Sequence, residues 1–552
     1  MSYKKLALTL SFSVGSVFSI GCLADPPPCT TGAIETVSGT VCGIEVEASN
    51  TGKTADAFLG IPYAESTGGE NRWKPPIPKE PWQETLRATQ FGLFCPQPPL
   101  IPVLARPFGE DCLSINVWTP KDRPVDANLP VMAFIHGGAF LVGGSGLPLY
   151  DGSYISATEN VVLVSLNYRV GALGFLVSPG LKGNYGFLDQ QLALKWVQNN
   201  IQKFGGDPDK VTIFGQSAGA MSVGLHLASA PSSQNLFRAG IVQSNPYFLP
   251  YKTRKEAKDI GKLFTSLLDC HNKACLREKP VEDILYAQTE VISYLPMGLQ
   301  GLSLPIFWGP VIDGSVLINQ PNEGQFINKP TIIGTVVDEG MQFVAFINPG
   351  VDISTTEYEE LLQVFFGDKT SQVLEFYPPN SFPQITWMTL SQLLTDYVFT
   401  CSSRHVAANS AIGGYVHQFT QLSSFNLPLS YILGVPFCMN NVCHSFELPY
   451  VFHSDHCYGN GLCIEFTPEE EQLSQDIMHY WANFATYLDP NNGGVIWPLF
   501  QPDNDYMELN TSLTPQNSTG VCSFWDSIGY DFSENFWQIL IDEMKANVKA
   551  NR

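Results

Sequence analysis

The sequence predicts an α/β fold in which helices flank both faces of a large, mostly parallel central sheet. Short apolar runs rich in β-branched and aromatic residues alternate with helical patterns, as expected for strands that are buried on both faces. Of the 552 residues, 44% are hydrophobic and only 15% are charged, which is enough apolar material for such a core. The predicted strands lie at 131–136, 161–168, 211–214, 239–243, 331–337 and 415–419.

Two helices are predicted from local patterns. An amphipathic helix should cross from the second predicted strand to the third, because residues recur there at four-residue steps at Leu188, Leu192, Trp196 and Asn200. A capping box at Thr467 to Glu470, with proline in the first turn, should open a helix that runs to about Leu488. The sequence contains no internal repeat and no Gly/Ser linker, so we expect residues 25–552 to form a single domain.

The amino terminus has the layout of a secretory signal. Lys4 and Lys5 precede an apolar stretch at 6–20 and then small residues, which predicts a signal peptide over residues 1–24. An imperfect lipobox ending at Cys22 leaves lipid anchoring at that cysteine as the alternative. No later segment is long and apolar enough to predict a transmembrane helix, so we expect a secreted or periplasmic protein.

Cysteine count and charge agree with export. Either fate of Cys22 leaves twelve of the 13 cysteines, from Cys29 to Cys522, and an even number fits disulfides in an oxidising compartment. Spacing alone does not give their connectivity. The net charge of −22 disfavours binding to nucleic acid or anionic membranes, and it fits either simple solubility or steering of cationic substrates.

A Gly-x-Ser-x-Gly turn at 215–219 follows the predicted strand at 211–214 and precedes a segment suited to a helix. Such a strand-to-helix turn holds a serine oxygen clear of the backbone at the positive end of a helix. Ser217 is therefore a candidate nucleophile for acyl transfer, which also needs a base, an acid that orients the base, and N–H donors for the oxyanion. The glycine-rich segment at 136–140 follows another strand and can supply such donors.

These two segments, with four others, resemble the type-B carboxylesterase/lipase family, the cholinesterase-like branch of the α/β-hydrolases. The resemblance covers about residues 35 to 530 and rests on GIPYA at 60–64, EDCL at 110–113, HGGAF at 136–140, NYR at 167–169, FGGDP at 204–208 and GQSAG at 215–219. It implies an α/β-hydrolase fold and ester hydrolysis, with no cofactor and no metal.

The resemblance also implies roles for individual residues. The family's nucleophile falls on Ser217, and its oxyanion donors fall on the N–H groups of Gly138, Ala139 and Ala218. The family motif Asp-Glu-Gly falls on 338–340, so Glu339 is the expected acid and Asp338 is the alternative.

The choice of the base depends on the resemblance. The order serine, acid, base leaves every histidine after Glu339 open: His405, His417, His444, His453, His456 and His479. The family pattern, a histidine followed three residues later by glutamate and an apolar run, matches His444, which is therefore the expected general base. The cluster of His453, His456 and Cys457 also permits a metal site, but the many exported cysteines favour a disulfide there.

Further structural pairs follow from the same resemblance. It suggests the disulfides Cys95–Cys112, Cys270–Cys275 and Cys401–Cys522. For the remaining cysteines we expect Cys29–Cys42, Cys438–Cys443 and Cys457–Cys463. Arg72 and Glu110 match an internal ion pair of the family, so we expect them to support stability.

The substrate expectations come from departures from the family pattern. Cholinesterases hold a quaternary ammonium over a tryptophan in the first disulfide loop, assisted by a glutamate before the nucleophile. Here the loop from Cys95 to Cys112 has no tryptophan and Gln216 precedes Ser217, which argues against a choline ester specialist. The positions that resemble the family's acyl pocket fall on the aliphatic residues Leu304 and Ile306, which favours medium acyl chains. The expected substrate-binding residues are Leu304, Ile306, Gln216 and Phe343.

The sequence therefore predicts an exported serine carboxylesterase that acts on small-molecule or lipid esters. A true lipase acting on triglycerides is an alternative within the enzyme class. A catalytically silent binding or adhesion module of the same fold is the alternative outside it, although every triad position is filled here. The sequence leaves the oligomeric state open.

Overall fold

The computed structural model describes most of the chain: residues 26–99, 106–124, 126–295, 299, 306–322, 328–347, 353–379, 386–458, 461–501, 505–517, 520–530 and 535–551. The predictions for the signal segment, for Cys22 and for Leu304 lie outside the described residues.

Eleven strands of the described chain form one mixed sheet. In chain order they are β1 Ile44–Glu47, β2 Thr54–Pro62, β3 Ser114–Pro120, β4 Leu129–Ile135, β5 Val162–Leu166, β6 Gly206–Gln216, β7 Ala239–Gln243, β8 Thr331–Val336, β9 Gly414–Phe419, β10 Asp505–Leu509 and β11 Thr514–Asn517. Their spatial order is β11-β10-β9-β8-β7-β6-β4-β5-β3-β2-β1.

The centre of this sheet is parallel and its edges are antiparallel. Every pairing from β10 across to β5 is parallel, whereas β10–β11, β5–β3, β3–β2 and β2–β1 are antiparallel. The six strands predicted from the sequence are β4 to β9, and they lie in the parallel part. The prediction of a mostly parallel sheet flanked by helices is confirmed.

Helices connect and cover these strands. The α-helices of the described chain are Ser153–Glu159, Gly171–Phe175, Tyr185–Asn200, Ala218–Ala228, Arg254–Leu267, Lys273–Glu278, Val281–Ser293, Glu339–Ile347, Thr355–Phe366, Thr370–Phe376, Thr386–Leu394, Cys401–Ala408, Asn426–Ile432, Leu448–Phe452, Pro468–Tyr487, Val521–Ile528 and Phe536–Asn551. A π-helical turn, Thr395–Thr400, joins two of them. No helix within the described ranges combines the length and apolarity needed to cross a bilayer.

Shorter elements complete the description. The short strands are Ile34–Thr36, Gly39–Cys42, Leu86–Arg87, Val177–Ser178, Leu181–Lys182, Lys252–Thr253 and Val311–Ile312. The 3₁₀ turns are Gly69–Asn71, Pro148–Tyr150, Ile201–Phe204, Pro231–Ser233, Gly367–Lys369 and Pro436–Cys438.

In the crossover helix Tyr185–Asn200, burial extends beyond the apolar face to polar side chains. Trp196 is buried as the pattern predicts, but Asp189 is fully buried as well. This carboxylate is tolerated because the Arg169 guanidinium donates two hydrogen bonds to it, from Nε to Oδ2 at 2.8 Å and from Nη2 to Oδ1 at 2.6 Å. A buried, fully paired ion pair of this kind loses much of its support when one partner is removed. The ion pair thus links this helix to the segment that follows β5.

The helix Pro468–Tyr487 begins as the sequence predicts. The Thr467 side chain accepts a hydrogen bond from the Glu470 N–H at 3.3 Å, and the Glu470 carboxylate accepts one from the Thr467 N–H at 3.0 Å. These reciprocal bonds satisfy two N–H groups that would otherwise lack partners at the helix start.

Six disulfides join the cysteines of the described chain: Cys29–Cys42, Cys95–Cys112, Cys270–Cys275, Cys401–Cys522, Cys438–Cys443 and Cys457–Cys463. These are the same pairs that the sequence analysis names. The Arg72–Glu110 ion pair also forms, with Nε to Oε1 at 2.7 Å and Nη2 to Oε2 at 2.6 Å. Arg72 Nη1 additionally donates to the carbonyl oxygen of Lys279 at 2.7 Å, so Arg72 links Glu110 to the segment after Cys275.

The Cys401–Cys522 disulfide should be the largest covalent contributor to stability, because it spans 121 residues. Replacing both cysteines with serine should lower the free energy of unfolding by about 5 kcal/mol in the loop-entropy model. The matched control is the double serine variant of Cys270–Cys275, which spans 5 residues and should cost only about 2 kcal/mol. Guanidinium unfolding followed by tryptophan fluorescence measures both, and equal losses would contradict the loop-length argument.

Candidate active site

Ser217 stands at the sharp turn between the end of β6 and the helix Ala218–Ala228. Its backbone has φ 58° and ψ −125°, a strained conformation for a residue with a side chain. The turn needs glycine on both sides: a Cβ on Gly219 would lie 1.9 Å from the carbonyl oxygen of Ile135, and one on Gly215 would lie 2.6 Å from the carbonyl carbon of Gly219. The serine therefore projects from the carboxyl edge of the sheet at the positive end of a helix.

His444 and Glu339 form a buried pair at the same edge of the sheet. The Nδ1 atom of His444 lies 2.5 Å from Oε2 of Glu339, and both side chains are buried. The other carboxylate oxygen of Glu339 accepts a hydrogen bond from the Val336 N–H at 2.9 Å, which fixes the carboxylate at the end of β8. This geometry holds the proton of a neutral imidazole on Nδ1 and leaves Nε2 as the basic nitrogen.

Gln216 connects this pair to the serine turn. Its side-chain nitrogen lies 3.1 Å from Nε2 of His444, so the amide N–H donates to the basic nitrogen. Gln216 is adjacent to Ser217 in the chain, and a Cβ placed on Gly137 would meet both the Gln216 amide oxygen and the Ser217 Cβ at 3.1 Å. The structure therefore brings the serine turn, the histidine and the glycine-rich segment together.

The glycine-rich segment forms a strained loop after β4. Gly138, Ala139 and Phe140 all have positive φ, at 110°, 57° and 56°. A Cβ on Gly138 would lie 2.1 Å from the Val142 carbonyl oxygen, so this position requires glycine. Within the described residues, the N–H groups of Gly138 and Ala139 donate to no backbone or side-chain acceptor. They remain available for an external anion beside the serine.

His136 and Tyr168 support that loop from behind. The Tyr168 hydroxyl donates to the His136 carbonyl oxygen at 2.9 Å, and the two rings stack with centroids 4.3 Å apart. His136 Nδ1 also donates to the Gly137 carbonyl oxygen at 2.8 Å. Burial lowers the pKa of His136 to about 4, so the ring is neutral and acts as a rigid support.

Two phenylalanines pack against His444. Phe343, expected to line the substrate site, lies with its ring centroid 5.1 Å from the imidazole. Phe399 lies 5.5 Å away and stacks on Phe343 at 5.4 Å. Phe399 was not predicted from the sequence, because it reaches the site through the π-helical turn Thr395–Thr400, a feature often found at functional sites.

The expected acyl-pocket residue that can be located is Ile306, which is buried. Its carbonyl oxygen accepts a hydrogen bond from the buried Lys252 ammonium group. Gly309, in the same segment, lies against the Phe140 ring, since a Cβ there would approach it to 3.0 Å. The segment therefore packs on the glycine-rich loop, while Leu304 lies outside the described residues.

The other candidate acids and bases have different partners. Asp338 accepts a hydrogen bond from the Val442 N–H at 2.9 Å, and Cys457 is in a disulfide with Cys463. His453 is bonded to Ser474 at 2.9 Å. His417 is buried beside Trp481, with no hydrogen-bond partner for either ring nitrogen among the described residues.

Glu447 is a second buried carboxyl group near the catalytic candidates. Its Oε1 accepts a hydrogen bond from the Gln243 amide at 3.1 Å, and its Oε2 has no partner within the described chain. Burial, and then the nearby Glu339 carboxylate, raise the pKa of Glu447 to about 7. The group therefore stays protonated up to about neutral pH.

This raised pKa makes stability depend on pH. Between pH 4.5 and about 7 the unfolded chain releases the Glu447 proton while the folded chain keeps it, so the stability that the protonated group contributes is lost as pH rises. Relative to Glu447→Gln, the wild-type free energy of unfolding should fall by on the order of 3 kcal/mol across this interval. Urea unfolding of both proteins as a function of pH measures the difference, and parallel pH profiles would contradict it.

Comparisons with known proteins give the family of this chain. The model of the Carboxylesterase family matches residues 30–525. The chain is 37% identical to the cAMP-regulated D2 protein of Dictyostelium discoideum, over 84% of this chain and 87% of that protein. It is 36% identical to the Crystal protein of the same organism, over 87% of this chain and 88% of that protein. It is 33% identical to the acetylcholinesterase of Bungarus fasciatus, over 89% of this chain and 86% of that protein.

The family match spans nearly the whole chain and includes the serine turn, the glycine-rich loop and the histidine–glutamate pair. The fold is accordingly that of an α/β-hydrolase, and the enzyme class is carboxylic ester hydrolase. The chain belongs to the carboxylesterase family.

Proposed function

We propose that this protein is an exported serine carboxylesterase in which Ser217 is the nucleophile, His444 the general base and Glu339 the acid that orients it. The observation that carries the proposal is the 2.5 Å hydrogen bond between Glu339 and His444. It leaves the basic nitrogen of His444 next to Gln216, the neighbour of Ser217. A nucleophile, an oriented base and free N–H donors at one edge of the sheet are the parts that acyl transfer requires.

The reaction then has two balanced halves. In acylation, the Ser217 hydroxyl oxygen attacks the ester carbonyl carbon while His444 Nε2 takes the hydroxyl proton, and the imidazolium returns this proton to the departing alcohol oxygen. In deacylation, water attacks the acyl-serine, gives a proton to Nε2, and Ser217 recovers its proton as the carboxylic acid leaves. The N–H groups of Gly138, Ala139 and Ala218 would bind the carbonyl oxygen when it carries negative charge in both halves.

Glu339 stabilises the imidazolium in each half. The carboxylate is held by the Val336 N–H and is buried, so its charge is poorly screened by solvent and acts on His444 directly. It does not need to take the proton from His444 to have this effect.

A fluorophosphonate probe tests the proposal directly, because it forms a covalent adduct with an activated serine. We expect one adduct per chain on Ser217, located by peptide mass spectrometry, and no adduct in the His444→Ala variant. Labelling of a different serine, or labelling that persists at the same rate in His444→Ala, would overturn the assignment. The His479→Ala variant is the control, because His479 lies on the helix Pro468–Tyr487 and is bonded to Glu159.

Two alternative functions would give different experimental results. A true lipase would increase its turnover sharply when triglyceride forms an emulsion, whereas an esterase follows the concentration of dissolved ester. A silent binding module would show neither turnover nor fluorophosphonate labelling. The names of the Dictyostelium relatives give no catalytic activity, but this chain keeps a serine, a glutamate and a histidine at the required positions.

Export is supported by two independent features. Residues 1–24 have the composition of a secretory signal, and six disulfides are typical of proteins from oxidising compartments. Cys22 would carry a lipid if the imperfect lipobox is used. Intact-mass measurement of the exported protein distinguishes cleavage after Ala24 from acylation at Cys22.

The site residues constrain the length of the acyl chain only weakly. Ile306 is buried in the segment that packs on the glycine-rich loop, and its aliphatic side chain favours medium chains over acetyl. A profile of p-nitrophenyl esters from acetyl to palmitoyl measures this preference.

A further inference from the structure

Gln243 ends the strand that lies between the two strands leading to Ser217 and Glu339. This strand, β7, is the neighbour of both β6 and β8 in the sheet. Ser217 follows β6 directly, and Glu339 begins the helix after β8. Both pairings of β7 are parallel, so the carboxyl ends of the three strands lie at one edge of the sheet. Gln243 is therefore placed between the segments that carry the proposed nucleophile and acid.

The main chain of Gln243 holds the serine turn. Its carbonyl oxygen accepts a hydrogen bond from the Ser217 N–H at 3.0 Å. Gln243 also pairs with Gln216 in the register of β6 and β7. The backbone of Ser217, with φ 58° and ψ −125°, is strained, and such a conformation persists only where the surrounding structure fixes it. The position of Gln243 thus helps to set the position of the nucleophile.

The side chain of Gln243 reaches the loop that carries the base. Its Nε2 donates to Oε1 of Glu447 at 3.1 Å, and Glu447 follows His444 by three residues. Its amide oxygen accepts from the Trp481 indole N–H at 3.4 Å. The Gln243 side chain is buried, and both ends of its amide have partners. These contacts fix the orientation of the amide toward Glu447.

Glu447 and His444 are joined by a tight turn. The Phe446 N–H donates to the Cys443 carbonyl oxygen at 3.0 Å, which closes the chain around His444. The second carboxyl oxygen of Glu447, Oε2, has no partner among the described residues. Loss of the bond from Gln243 would therefore leave this carboxyl group poorly held, and a shift of the turn would displace the imidazole.

We propose that Gln243 is a positioning residue of the esterase site, which keeps the His444 imidazole aligned with Ser217 by holding Glu447. Gln243 contacts Ser217 only through the main chain, and its side chain acts on His444 through Glu447. Alignment matters because a misplacement of about 1 Å costs on the order of 10²-fold in rate. The inference rests on the proposed function and adds a residue that couples the nucleophile to the base.

The Gln243→Met variant of the full-length mature protein tests this role, because methionine keeps the length of the side chain and removes the N–H donor. We expect kcat for p-nitrophenyl butyrate to fall about 10- to 100-fold while KM stays within about threefold of the wild type. Assays at pH 6 keep Glu447 protonated, since burial raises its pKa to about 7.

Labelling by the fluorophosphonate separates positioning from folding. In Gln243→Met the rate constant for labelling of Ser217 should fall by a factor similar to that of kcat, while one adduct per chain still forms in the end. A purely structural role would reduce the fraction of chains that are labelled and leave the rate constant unchanged. That result would overturn the inference.

The double variant Gln243→Met/Glu447→Met gives a second test. Replacing both hydrogen-bonding partners with apolar side chains leaves no unpaired carboxyl group, so the free energy of unfolding should recover most of what Gln243→Met loses. The kcat should nevertheless stay at the level of Gln243→Met, because the bond between the two segments is still missing. Recovery of kcat together with stability would show that the amide serves folding alone.

The matched control is Gln191→Met, the same change at a buried position of the helix Tyr185–Asn200. Gln191 Nε2 donates to the hydroxyls of Ser232 and Ser233 at 2.8 and 2.9 Å, so this variant loses stability but should keep the wild-type kcat. Wild-type kcat and labelling rate in Gln243→Met would contradict the inference. Failure of the proposed function is distinguishable, because the fluorophosphonate would then not label Ser217 in the wild-type protein.

Discussion

Replacing Ser217 with alanine is expected to lower kcat for p-nitrophenyl butyrate on the order of 10⁵-fold while the protein remains folded. The hydroxyl is the only part of the residue that the change removes, and the strained backbone at φ 58° accepts alanine as readily as serine. The residual rate would come from substrate binding and from the N–H groups proposed as oxyanion donors, which remain in place. Initial rates of purified protein, with thermal unfolding as the check on folding, measure the effect.

The matched control is Ser266→Ala, which removes an exposed hydroxyl from the helix Arg254–Leu267. This variant should retain the wild-type kcat, because Ser266 bonds only locally, to the Leu263 carbonyl oxygen. If Ser217→Ala kept more than about a tenth of the wild-type kcat, acyl transfer through this serine would be excluded.

The sequence predicts the parallel part of the sheet because strands that are buried on both faces appear as continuous runs of apolar residues. Strands β4 to β9 are short runs of apolar residues, and the Val131 to Ile135 stretch of β4 is wholly inaccessible to solvent. The edge strands lack that signal. β1 alternates isoleucine and valine with two exposed glutamates over only four residues, and β2 contains an irregularity between Phe58 and Ile61 that interrupts its period.

The start of β6 illustrates a second limit. Its first residues, Gly206, Asp207 and Pro208, have the composition of a turn, yet the strand begins at Gly206 because Gly206 pairs with Leu129 of β4. Pairing with a distant strand overrides local preference there. The predicted strand at 211–214 is therefore the correct centre of a longer element.

The candidate site likewise has features that short motifs predict and features that depend on contacts between distant segments. The serine turn, the glycine-rich loop and the histidine pattern are contiguous motifs, so each can be read from a few residues. The contact of Gln216 with His444 and the packing of Phe399 on the imidazole join segments that are distant in the chain, which a short motif does not encode.

Replacing Glu339 with glutamine is expected to lower kcat by about 10³- to 10⁴-fold, because an amide neither fixes the proton on His444 Nδ1 nor stabilises the imidazolium. The matched control is the adjacent Asp338→Asn, which changes the same charge one residue away. Asp338 contacts the Val442 N–H and not the imidazole, so this variant should keep kcat within about tenfold of the wild type. Steady-state kinetics at saturating p-nitrophenyl butyrate measure both.

The comparison of the two variants decides whether Glu339 or Asp338 orients the histidine, a choice that the order of residues in the chain does not make. The stability of the two variants should change to a similar extent, since the amide oxygen in each variant still accepts the hydrogen bond from a backbone N–H, of Val336 or of Val442. A loss of kcat confined to Glu339→Gln therefore reflects the contact with His444 rather than a weakened fold. The reverse pattern, with Asp338→Asn the slower enzyme, would transfer the role of the acid to Asp338 and would require the imidazole to turn away from its 2.5 Å contact during the reaction.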